Sequence, residues 1–564
     1  MSSNQTPSDA GGKPKRSASA LVALGILFSR LSGLVREFVF GIFFGIGGVS
    51  EAFNMAVRLP NVLQMLLGEG TLSASFIPVY SNELERDEEE AGRIAGAVAA
   101  LLAIVAAIIV VLSVVFAESI VSVMASQWRG DARFDMTVSL IRVIFPSAGL
   151  LVLSAWCLGV LNSHRQFFLS YVAPVLWNIA QIGSVAAAAL FFGVGNFSGD
   201  IADLEDISTN VDVLGNLGRV AAWGFFAGSA MQFLVQVPNV WKLVKGLTFK
   251  LDLKRQGVQE VLRRFGGAVL GRGVVQISAL ADLFLAGLLT LGAVTALGKA
   301  QVLYIMPISL FAVSVAASEL PELSRIKSAQ EIKERSQAGF GRILFFISFV
   351  ALAYITLGDK IIGALFEYGR FTADDTLLIW FALGAYSLGL IPSAASRLTQ
   401  NVMWSQGDTS GPAKIAFFRV VISITIAASI MWFFDRIGTS DLRDALPTLY
   451  DTSDPKEMLR FGAVGITLGS AVAAWVEAAL LWRLADKAIP GVSPLAPLKK
   501  LLPALGTAAL VAILMRFVTD NMWPPLAAVI AVGSTGLTYL ATSWATGVKE
   551  VNMVLVGPLK SLKR

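Results

Sequence analysis

The chain has 564 residues, of which 55% are apolar and only 15% are charged, and its mean hydropathy is +0.68. A soluble domain carries roughly 25% charged residues and must cover its surface with polar groups, so this composition excludes a soluble protein and predicts one that resides in a bilayer. The net charge of +5 is small. The single cysteine, Cys157, and the single histidine, His164, exclude an intramolecular disulfide, a cysteine zinc cluster and a histidine-rich metal site.

Apolar spans of about 20 residues, the length that crosses a bilayer as a helix, recur from one end of the chain to the other. We predict an all-α polytopic membrane protein with about fourteen transmembrane helices. They fall near 18–46, 52–80, 92–117, 136–162, 168–193, 218–242, 261–291, 295–321, 338–357, 376–404, 412–434, 460–484, 498–518 and 524–546. Proline and glycine inside the spans predict kinks of the kind that line cavities in transporters. These positions are Gly33, Pro60, Pro146, Pro307 and Pro392.

The connecting loops alternate in charge. One set is rich in lysine and arginine and lies at 13–16, 242–264, 325–335, 483–500 and 549–564. The other set is poor in basic residues or acidic, as at 200–212 and 441–454. Basic loops stay on the cytoplasmic side, and the two sets alternate consistently only for an even number of helices, so both termini are predicted to be cytoplasmic. The acidic run at 83–90 is an exception in sign, but acidic residues have little influence on orientation.

A weak internal repeat relates the two halves of the chain at a period of about 250 residues. Pro60 followed by FIPVYS at 76–81 in the second helix has a counterpart in Pro307 followed by ELPELS at 319–324 in the eighth. We therefore predict two parallel lobes around a midplane cavity, the usual construction of an alternating-access carrier. The predicted divisions are a disordered cytoplasmic N-terminus at 1–17, an N-lobe at 18–245, a C-lobe at 246–486, two further helices at 487–548 and a cytoplasmic tail at 549–564.

Charged and polar side chains fall inside the predicted spans, where an arginine costs about 2.5–3.5 kcal/mol at the bilayer centre. Arg30 and Arg36 flank Gly33, so a bend there would bring both guanidinium groups to one side. Such arginines either pair near the end of a span or line a polar cavity that binds an anion. The predicted cavity cations are Arg30, Arg36, Arg58, Arg272 and Arg397. The predicted polar or gating side chains are Ser29, Glu37, Glu51, Asn61, Gln64, Glu69, Gln276, Asp282 and Gln301. A cationic cavity in apolar surroundings predicts an anionic amphiphile as the substrate.

The sequence carries no motif for nucleotide hydrolysis or catalysis. Residues 292–300 (GAVTALGKA) resemble a phosphate loop only superficially, because the glycine spacing is one residue too long and Ala300 stands where a serine or threonine must hold magnesium. A catalytic triad, a paired-carboxylate site and a metal cluster are also lacking in the sequence. We therefore predict a transporter rather than an enzyme, without a cofactor, driven by the membrane potential, an ion gradient or a partner.

Several ordered motifs lie at 28–37 (FSRLSGLVRE), 51–53 (EAF), 58–61 (RLPN), 68–70 (GEG), 75–78 (SFIP), 159–162 (GVLN), 173–179 (APVLWNI), 276–278 (QIS) and 366–372 (FEYGRFT). They resemble motifs of the MurJ/MviN lipid II flippase family, and the similarity runs from about residue 18 to residue 415. The resemblance implies the fold of the multidrug/oligosaccharidyl-lipid/polysaccharide exporter superfamily, with two six-helix lobes, a central cationic cavity and two C-terminal helices. It implies that Arg30 and Arg36 meet the substrate pyrophosphate, and it matches Glu51 and Glu69 to acidic positions of the family.

The function that this resemblance implies is translocation of lipid II, the lipid-linked peptidoglycan precursor, from the inner to the outer leaflet of the bacterial cytoplasmic membrane. This step belongs to cell-wall biogenesis and maintains cell shape, so cell-wall synthesis proteins are candidate partners and nucleic acid is not. Membrane lipids surround the protein.

Two departures from the family pattern are apparent. Gln64 occupies a position that is often arginine, and Gln301-Val302 stand where the family often has an Asp-Arg pair. Arg272, one helix earlier, is a candidate to replace the missing arginine. Two loops also look long for the family, at 194–217 and 437–458. The departures leave open a carrier of another polyprenyl-linked oligosaccharide, or a small-molecule exporter of the same superfamily. A non-transporting membrane scaffold is a further alternative, although the insertion cost of intramembrane arginines argues against it.

Overall fold

The computed structural model describes residues 16–192, 207–445 and 459–555. It describes only the backbone at 16–24, 26–27, 69, 207–212, 270–275, 321, 443–445 and 555. Regular structure in these ranges is helical, apart from one antiparallel bridge between Gly438 and Arg460. Lipid offers no partners to backbone N–H and C=O groups, so a chain of this hydropathy satisfies those groups within its own helices.

The described ranges contain 22 α-helices, a 3-10 turn at Ser126–Trp128 and a π-helical segment at Ile308–Val313. The first eleven helices are α1 (Arg16–Phe44), α2 (Gly48–Leu67), α3 (Glu69–Arg86), α4 (Glu88–Val115), α5 (Ala117–Met124), α6 (Ala132–Ile144), α7 (Pro146–Ser163), α8 (Phe167–Phe191), α9 (Ile207–Leu234), α10 (Val237–Leu243) and α11 (Gln256–Gly287). The others are α12 (Ala293–Pro307), α13 (Ser314–Leu323), α14 (Ala329–Phe366), α15 (Ala373–Ser387), α16 (Leu390–Ser405), α17 (Ser410–Phe434), α18 (Thr439–Ala445), α19 (Gly462–Ala488), α20 (Leu498–Val518), α21 (Pro524–Ala545) and α22 (Val551–Leu555).

Eleven helical segments in the described ranges are long and apolar enough to cross a bilayer, and the bent pair α15–α16 is a twelfth if it counts as one span. Each coincides with a predicted span. The two remaining predicted spans correspond to α1, with 29 residues, and α11, with 32 residues. At about 1.5 Å per residue, both helices exceed the ~30 Å hydrocarbon core. The prediction of an all-α polytopic membrane protein is confirmed.

Three of the predicted spans are each divided into two helical segments at or near a proline. Pro146 opens α7 directly after α6, and Pro307 ends α12 where the π-helical segment begins. Pro392 lies in the first turn of α16, which bends by 41° against α15. In contrast, α1 continues as a helix through Gly33, and α2 continues through Pro60. The predicted discontinuities are therefore present at three of the five positions, and the helix continues past the other two.

Buried apolar side chains form clusters that follow the two halves of the chain. The largest joins α12, α14, α15, α16 and α19, and two others lie among α1, α2, α6, α8 and α9 and among α3, α4, α7 and the beginning of α11. The last two long helices pack on α14, where the hydroxyl of Tyr539 donates to the Phe345 carbonyl at 2.8 Å. Arg516 of α20 pairs with Asp359 of α14 at 3.4 Å and lies over the ring of Trp380, 4.2 Å from its centroid.

The helical bundle has two ends, the turn end and the strap end. The turn end holds the α1–α2 turn (residues 45–47), the beginning of α12 and the turn at 367–372. The opposite end carries the segment that links α10 to α11, residues 244–255, which we call the strap, and is called the strap end.

The strap crosses the beginning of α4. Lys245 of the strap pairs with Glu88 at 2.6 Å, and Arg255 pairs with Glu90. The strap backbone lies directly on α4 because Gly92 has no side chain; a Cβ at this position would collide with the carbonyl oxygen of Lys245. The run at 83–90 is acidic, although loops on this side of the membrane were expected to be basic. The basic strap partly neutralises its charge.

We expect Gly92→Ala to lower the melting temperature of the purified protein. The added methyl group must displace the strap backbone, and overpacking of this kind costs about 1–3 kcal/mol. The matched control is Gly183→Ala in α8, where no described atom lies within 4 Å of an added Cβ. There the better helix propensity of alanine should stabilise by up to ~1 kcal/mol. Equal melting temperatures for the two variants would contradict close packing of the strap on α4.

Candidate functional site

An ion cluster inside the membrane joins α1 of the first half to α12 of the second. The guanidinium of Arg36 lies 2.7 Å from the carboxylate of Glu37, and the ammonium of Lys299 lies 3.7 Å from the other oxygen of that carboxylate. Lys299 is the seventh residue of α12 (Ala293–Pro307), about 9 Å along the helix from its start. We call these three residues the central cluster. One carboxylate therefore bridges two cations that come from different halves of the chain.

Aromatic rings and an amide hold the cations of the central cluster in place. The guanidinium of Arg36 lies over the ring of Trp177, 4.8 Å from its centroid, and donates to the side-chain oxygen of Asn178 at 3.3 Å. The ammonium of Lys299 lies 4.6 Å from the ring centroid of Phe366, and the residue is only 6% exposed. Cation–π contacts of desolvated groups contribute up to ~2 kcal/mol each. These contacts help to offset the side-chain entropy that is lost when an arginine and a lysine are held in one position.

A small cleft adjoins the central cluster. Besides the three charged residues, Asn61, Trp177 and Gln181 line it, together with apolar side chains of α1 and α2. Its volume is about 60 Å³, which leaves room for about four water molecules. In this conformation, the cleft is large enough for water but not for a lipid-linked sugar.

A second charged group, the Glu51 latch, closes the turn end. Glu51 of α2 is 0% exposed; one of its oxygens lies 2.7 Å from the guanidinium of Arg133 in α6, and the other accepts from the backbone N–H of Val294 at 3.0 Å. Arg133 is held in turn by Asp131, at 2.6 Å, and by the ring of Trp128, 4.7 Å from its centroid. The latch thereby fastens α2 and α6 to the first turn of α12.

The turn at 367–372 makes a second closure at the same end. The backbone N–H of Arg370 donates to the carbonyl of Ile42 at 2.9 Å. Gly45 (φ +53°) and Gly369 (φ +63°) adopt left-handed conformations, and a Cβ on either would collide with a carbonyl oxygen across the contact. This close approach gives a physical reason for the glycine in the 366–372 motif.

A third polar group, the buried network, lies within the second half and reaches α2. Arg58 of α2 donates to the side-chain oxygen of Gln301 in α12. Arg419 of α17 lies 2.7 Å from Glu477 of α19, which is buried. Asp282 of α11 is 6% exposed, feels the charges of Arg58 and Arg419, and has one buried oxygen without a described hydrogen-bond partner. The network contains two positive and two negative groups and is therefore close to neutral.

We expect Arg419→Met to destabilise the purified protein by about 3–5 kcal/mol, because it leaves the Glu477 carboxylate buried with only the amide of Gln400, at 3.2 Å, as a partner. The measurement is a melting curve in detergent. The control, Arg397→Met, changes an exposed arginine of α16 and should stay within about 0.5 kcal/mol of wild type. Addition of Glu477→Met should restore most of the lost stability, and failure of this double variant to do so would contradict the pairing.

The structure distributes the predicted site residues over three groups instead of one cavity. Arg36, Glu37 and Asn61 lie at the central cluster and its cleft, Glu51 lies in the latch, and Arg58, Asp282 and Gln301 lie in the buried network. Three predicted polar residues are half-buried: Ser29, Gln64 and Gln276. The side chains of Arg272 and Glu69 lie outside the described positions.

Two predicted cavity arginines do not join the central cluster. Arg30 and Arg397 are both exposed, on α1 and α16. Because α1 continues as a helix through Gly33, Arg30 and Arg36, six residues apart, project about 120° from each other. The assignment of Arg30 to the cavity stays a prediction.

Four of the charged residues that form these groups were not identified from the sequence. Lys299 was hidden in the segment that resembles a phosphate loop, and Arg133 stood at the edge of a predicted span. Arg419 and Glu477 each lie inside a predicted span, at 412–434 and 460–484. Because ionisable residues inside spans rarely face lipid, position alone would have identified Lys299, Arg419 and Glu477 as candidates.

A many-helix membrane bundle, with charges buried between its halves and one end closed across them, defines the class of multi-pass membrane transporters. A family model described as "Lipid II flippase MurJ" matches residues 41–443, well over half of the chain. The chain therefore belongs to the lipid II flippase MurJ family.

Relatives and solved structures agree with this family. The chain is 29% identical over 408 residues to the lipid II flippase MurJ of Burkholderia cenocepacia, covering 70% of this chain and 74% of that protein. A solved structure titled "Lipid II flippase MurJ, inward closed conformation" has a TM-score of 0.70 at 21% identity, covering 96% of this chain and 99% of that one. An inward-facing multidrug resistance MATE family transporter of the MOP superfamily has a TM-score of 0.54 at 17% identity, covering 86% and 97%. The fold is thus similar to that of the solved MurJ flippase and, less closely, to that of the MATE family transporter.

Proposed function

We propose that this protein moves lipid II from the inner to the outer leaflet of a bacterial cytoplasmic membrane by alternating access. Membership of the lipid II flippase family supports the cargo, and it makes the protein a transporter and not an enzyme. The observation that carries the proposal is the central cluster, in which cations of two halves of the chain share one carboxylate inside the membrane.

The chemistry of the central cluster suits a pyrophosphate. Two cations and one carboxylate leave a net positive charge at the cleft, and positive charge in a low-dielectric site attracts an anion. The fork of Arg36 can bind two phosphate oxygens at once, and Lys299 acts as a point charge. We propose that the pyrophosphate replaces Glu37 as the partner of both cations when the cleft widens.

Lys299 lies close to Val302, where this chain lacks an arginine that the family often has. It precedes Val302, the position that is often arginine in the family, by three residues and therefore lies on nearly the same face of α12. We propose that Lys299 supplies the cation that position 302 lacks. The alternative, that Arg272 replaces the missing arginine, stays a prediction.

We propose that lobes at 18–245 and 246–486 rock against each other about the central cluster, with the helices at 487–548 carried on α14. The Glu51 latch and the Arg370–Ile42 hydrogen bond connect these lobes at the turn end, which supports a state closed at that end. With both termini in the cytoplasm, as the basic loops favour, the turn end faces outward. The driving force in this proposal is the membrane potential or an ion gradient, and cell-wall synthesis proteins are candidate partners.

Binding to the purified protein tests the proposed cargo. Lipid II should bind at least about tenfold more tightly than a polyprenyl-linked glycan without a peptide stem, a difference of ~1.4 kcal/mol. Arg36→Ala should weaken the binding of lipid II. The departures at Gln64 and Val302 favour a second candidate, a flippase for another polyprenyl-linked oligosaccharide, and the opposite preference would support that candidate. A scaffold would bind neither lipid.

A further inference from the structure

We infer that a pocket at the strap end binds the headgroup of a phospholipid that carries both a phosphate and a primary ammonium group. The pocket lies where the beginnings of α14 and α20 meet the segment after α21. The central cluster contacts Phe366, at the opposite end of α14. The side chains that matter for binding are Gln337, Lys500, Leu501, Val548, Lys549 and Glu550. This site does not depend on the identity of the transported cargo.

The pocket is large enough for such a headgroup. Its volume is about 270 Å³, whereas a protein cavity of ~150 Å³ already admits benzene. Leu501 and Val548 are buried and give the pocket an apolar floor. Polar groups stand above that floor, an arrangement that suits the junction between a headgroup and its acyl chains.

Two lysines supply the positive side of the pocket. Lys500 follows Lys499 in the first turn of α20, and Lys549 follows α21. No described carboxylate forms an ion pair with either lysine. The neighbouring arginines differ in this respect, because Arg335 and Arg342 both pair with Glu319, at 2.6 and 2.5 Å. The lysines are therefore available for a phosphate, and basic pockets between transmembrane helices are known to bind the phosphates of lipid headgroups.

Glu550 makes the pocket selective. Its carboxylate lies against Gly341, where an added Cβ would collide with it, so the glycine provides the space that the carboxylate occupies. A carboxylate beside two lysines disfavours a ligand that is only anionic and complements one that also carries a cation. A headgroup with a phosphate and a primary ammonium satisfies both signs, and the amide of Gln337 adds a further donor and acceptor.

The depth of the pocket in the membrane also fits a headgroup. Trp544, in the last turn of α21, is 68% exposed, and Leu502, next to the floor, is 58% exposed. Exposed tryptophans of transmembrane helices lie at the level of the headgroups. The acyl chains of the bound lipid would then extend along the exposed apolar faces of α20 and α21.

Native mass spectrometry of the full-length protein in detergent tests this inference, with lipids added singly. Phosphatidylethanolamine should bind more tightly than phosphatidylglycerol, which lacks the ammonium, and than phosphatidylcholine, whose ammonium has no N–H. Lys500→Ala and Lys549→Ala should each weaken phosphatidylethanolamine binding about fivefold, because an exposed ion pair with the bound phosphate contributes up to ~1 kcal/mol. Glu550→Gln should weaken phosphatidylethanolamine binding and leave that of phosphatidylglycerol equal or stronger.

The matched control is Lys499→Ala, which removes the neighbouring exposed lysine that does not line the pocket. Lys500→Gln serves as a second variant if Lys500→Ala melts at a lower temperature than wild type. Wild-type affinity for phosphatidylglycerol equal to that for phosphatidylethanolamine, or equal effects of Lys499→Ala and Lys500→Ala, would overturn the inference. Binding of glycerophosphoethanolamine or inorganic phosphate as tight as that of the lipid would overturn it as well, because the ligand would then be a free phosphate compound.

Discussion

Lys299→Met is expected to reduce the affinity of the purified protein for lipid II by about 10- to 150-fold. Hydrogen bonds to charged groups contribute ~1.5–3 kcal/mol, and the ammonium of Lys299 is one of two cations at the cleft. Methionine keeps most of the length and the apolar stem of the side chain, but it removes the charge and with it the cation–π contact with Phe366. Lys299→Arg should retain most of the affinity because it keeps the charge.

The control for this substitution is Lys414→Met, which removes an exposed lysine from α17 and should leave the affinity unchanged. A companion variant, Glu37→Gln, should bind lipid II more tightly because the competing carboxylate is gone, yet transport more slowly because release has lost its counter-ion. Wild-type affinity in Lys299→Met, in a protein with a wild-type melting temperature, would contradict a role of Lys299 in the site.

Arg133→Ala is expected to open the turn end. The substitution removes the charged partner of buried Glu51, and loss of one member of a buried ion pair costs about 3–5 kcal/mol. Glu51 is buried against Val294 of α12 while this end is closed and would meet water once α12 moves away, so the cost falls mainly on the closed state and shifts the population toward the open one. A shift of ~3 kcal/mol changes the ratio of the two states by about 150-fold.

Thiol labelling measures this opening. A cysteine at Val57, which lines the cleft, should react much faster with a membrane-impermeant reagent in the Arg133→Ala background. The native Cys157 is 0% exposed and should contribute little background. Arg142→Ala, which removes an exposed arginine from α6, should leave the labelling rate unchanged. An unchanged rate in Arg133→Ala, or an equal increase in Arg142→Ala, would contradict the latch.

The membrane-spanning architecture could be predicted from the sequence because the signal is local. A run of about 20 apolar residues with few charges must become a spanning helix whatever surrounds it, since lipid leaves no other way to satisfy the backbone. The predicted spans therefore coincide with the helices. Where a span divides depends on the helix itself and its neighbours, so Pro146 and Pro307 interrupt helices but Pro60 does not.

The grouping of the polar residues could not be predicted in the same way. Glu37 and Glu51 were both assigned to one cavity, but they lie in separate clusters because α12 contacts α1 through Lys299 and α2 through the N–H of Val294. These contacts join segments more than 240 residues apart in the chain. The packing of the two halves decides which polar side chains meet. A local sequence pattern carries no information about that packing.

The most direct measurement of the central claim is rescue of a bacterium depleted of its own lipid II flippase, with lipid II in the outer leaflet as the readout. The wild-type chain would be compared with Arg36→Ala and Lys414→Met at equal expression in the membrane. We predict that wild type and Lys414→Met restore outer-leaflet lipid II and growth and that Arg36→Ala does not. Failure of the well-expressed, correctly inserted wild-type chain, or full rescue by Arg36→Ala, would contradict the proposed flipping of lipid II through the central cluster.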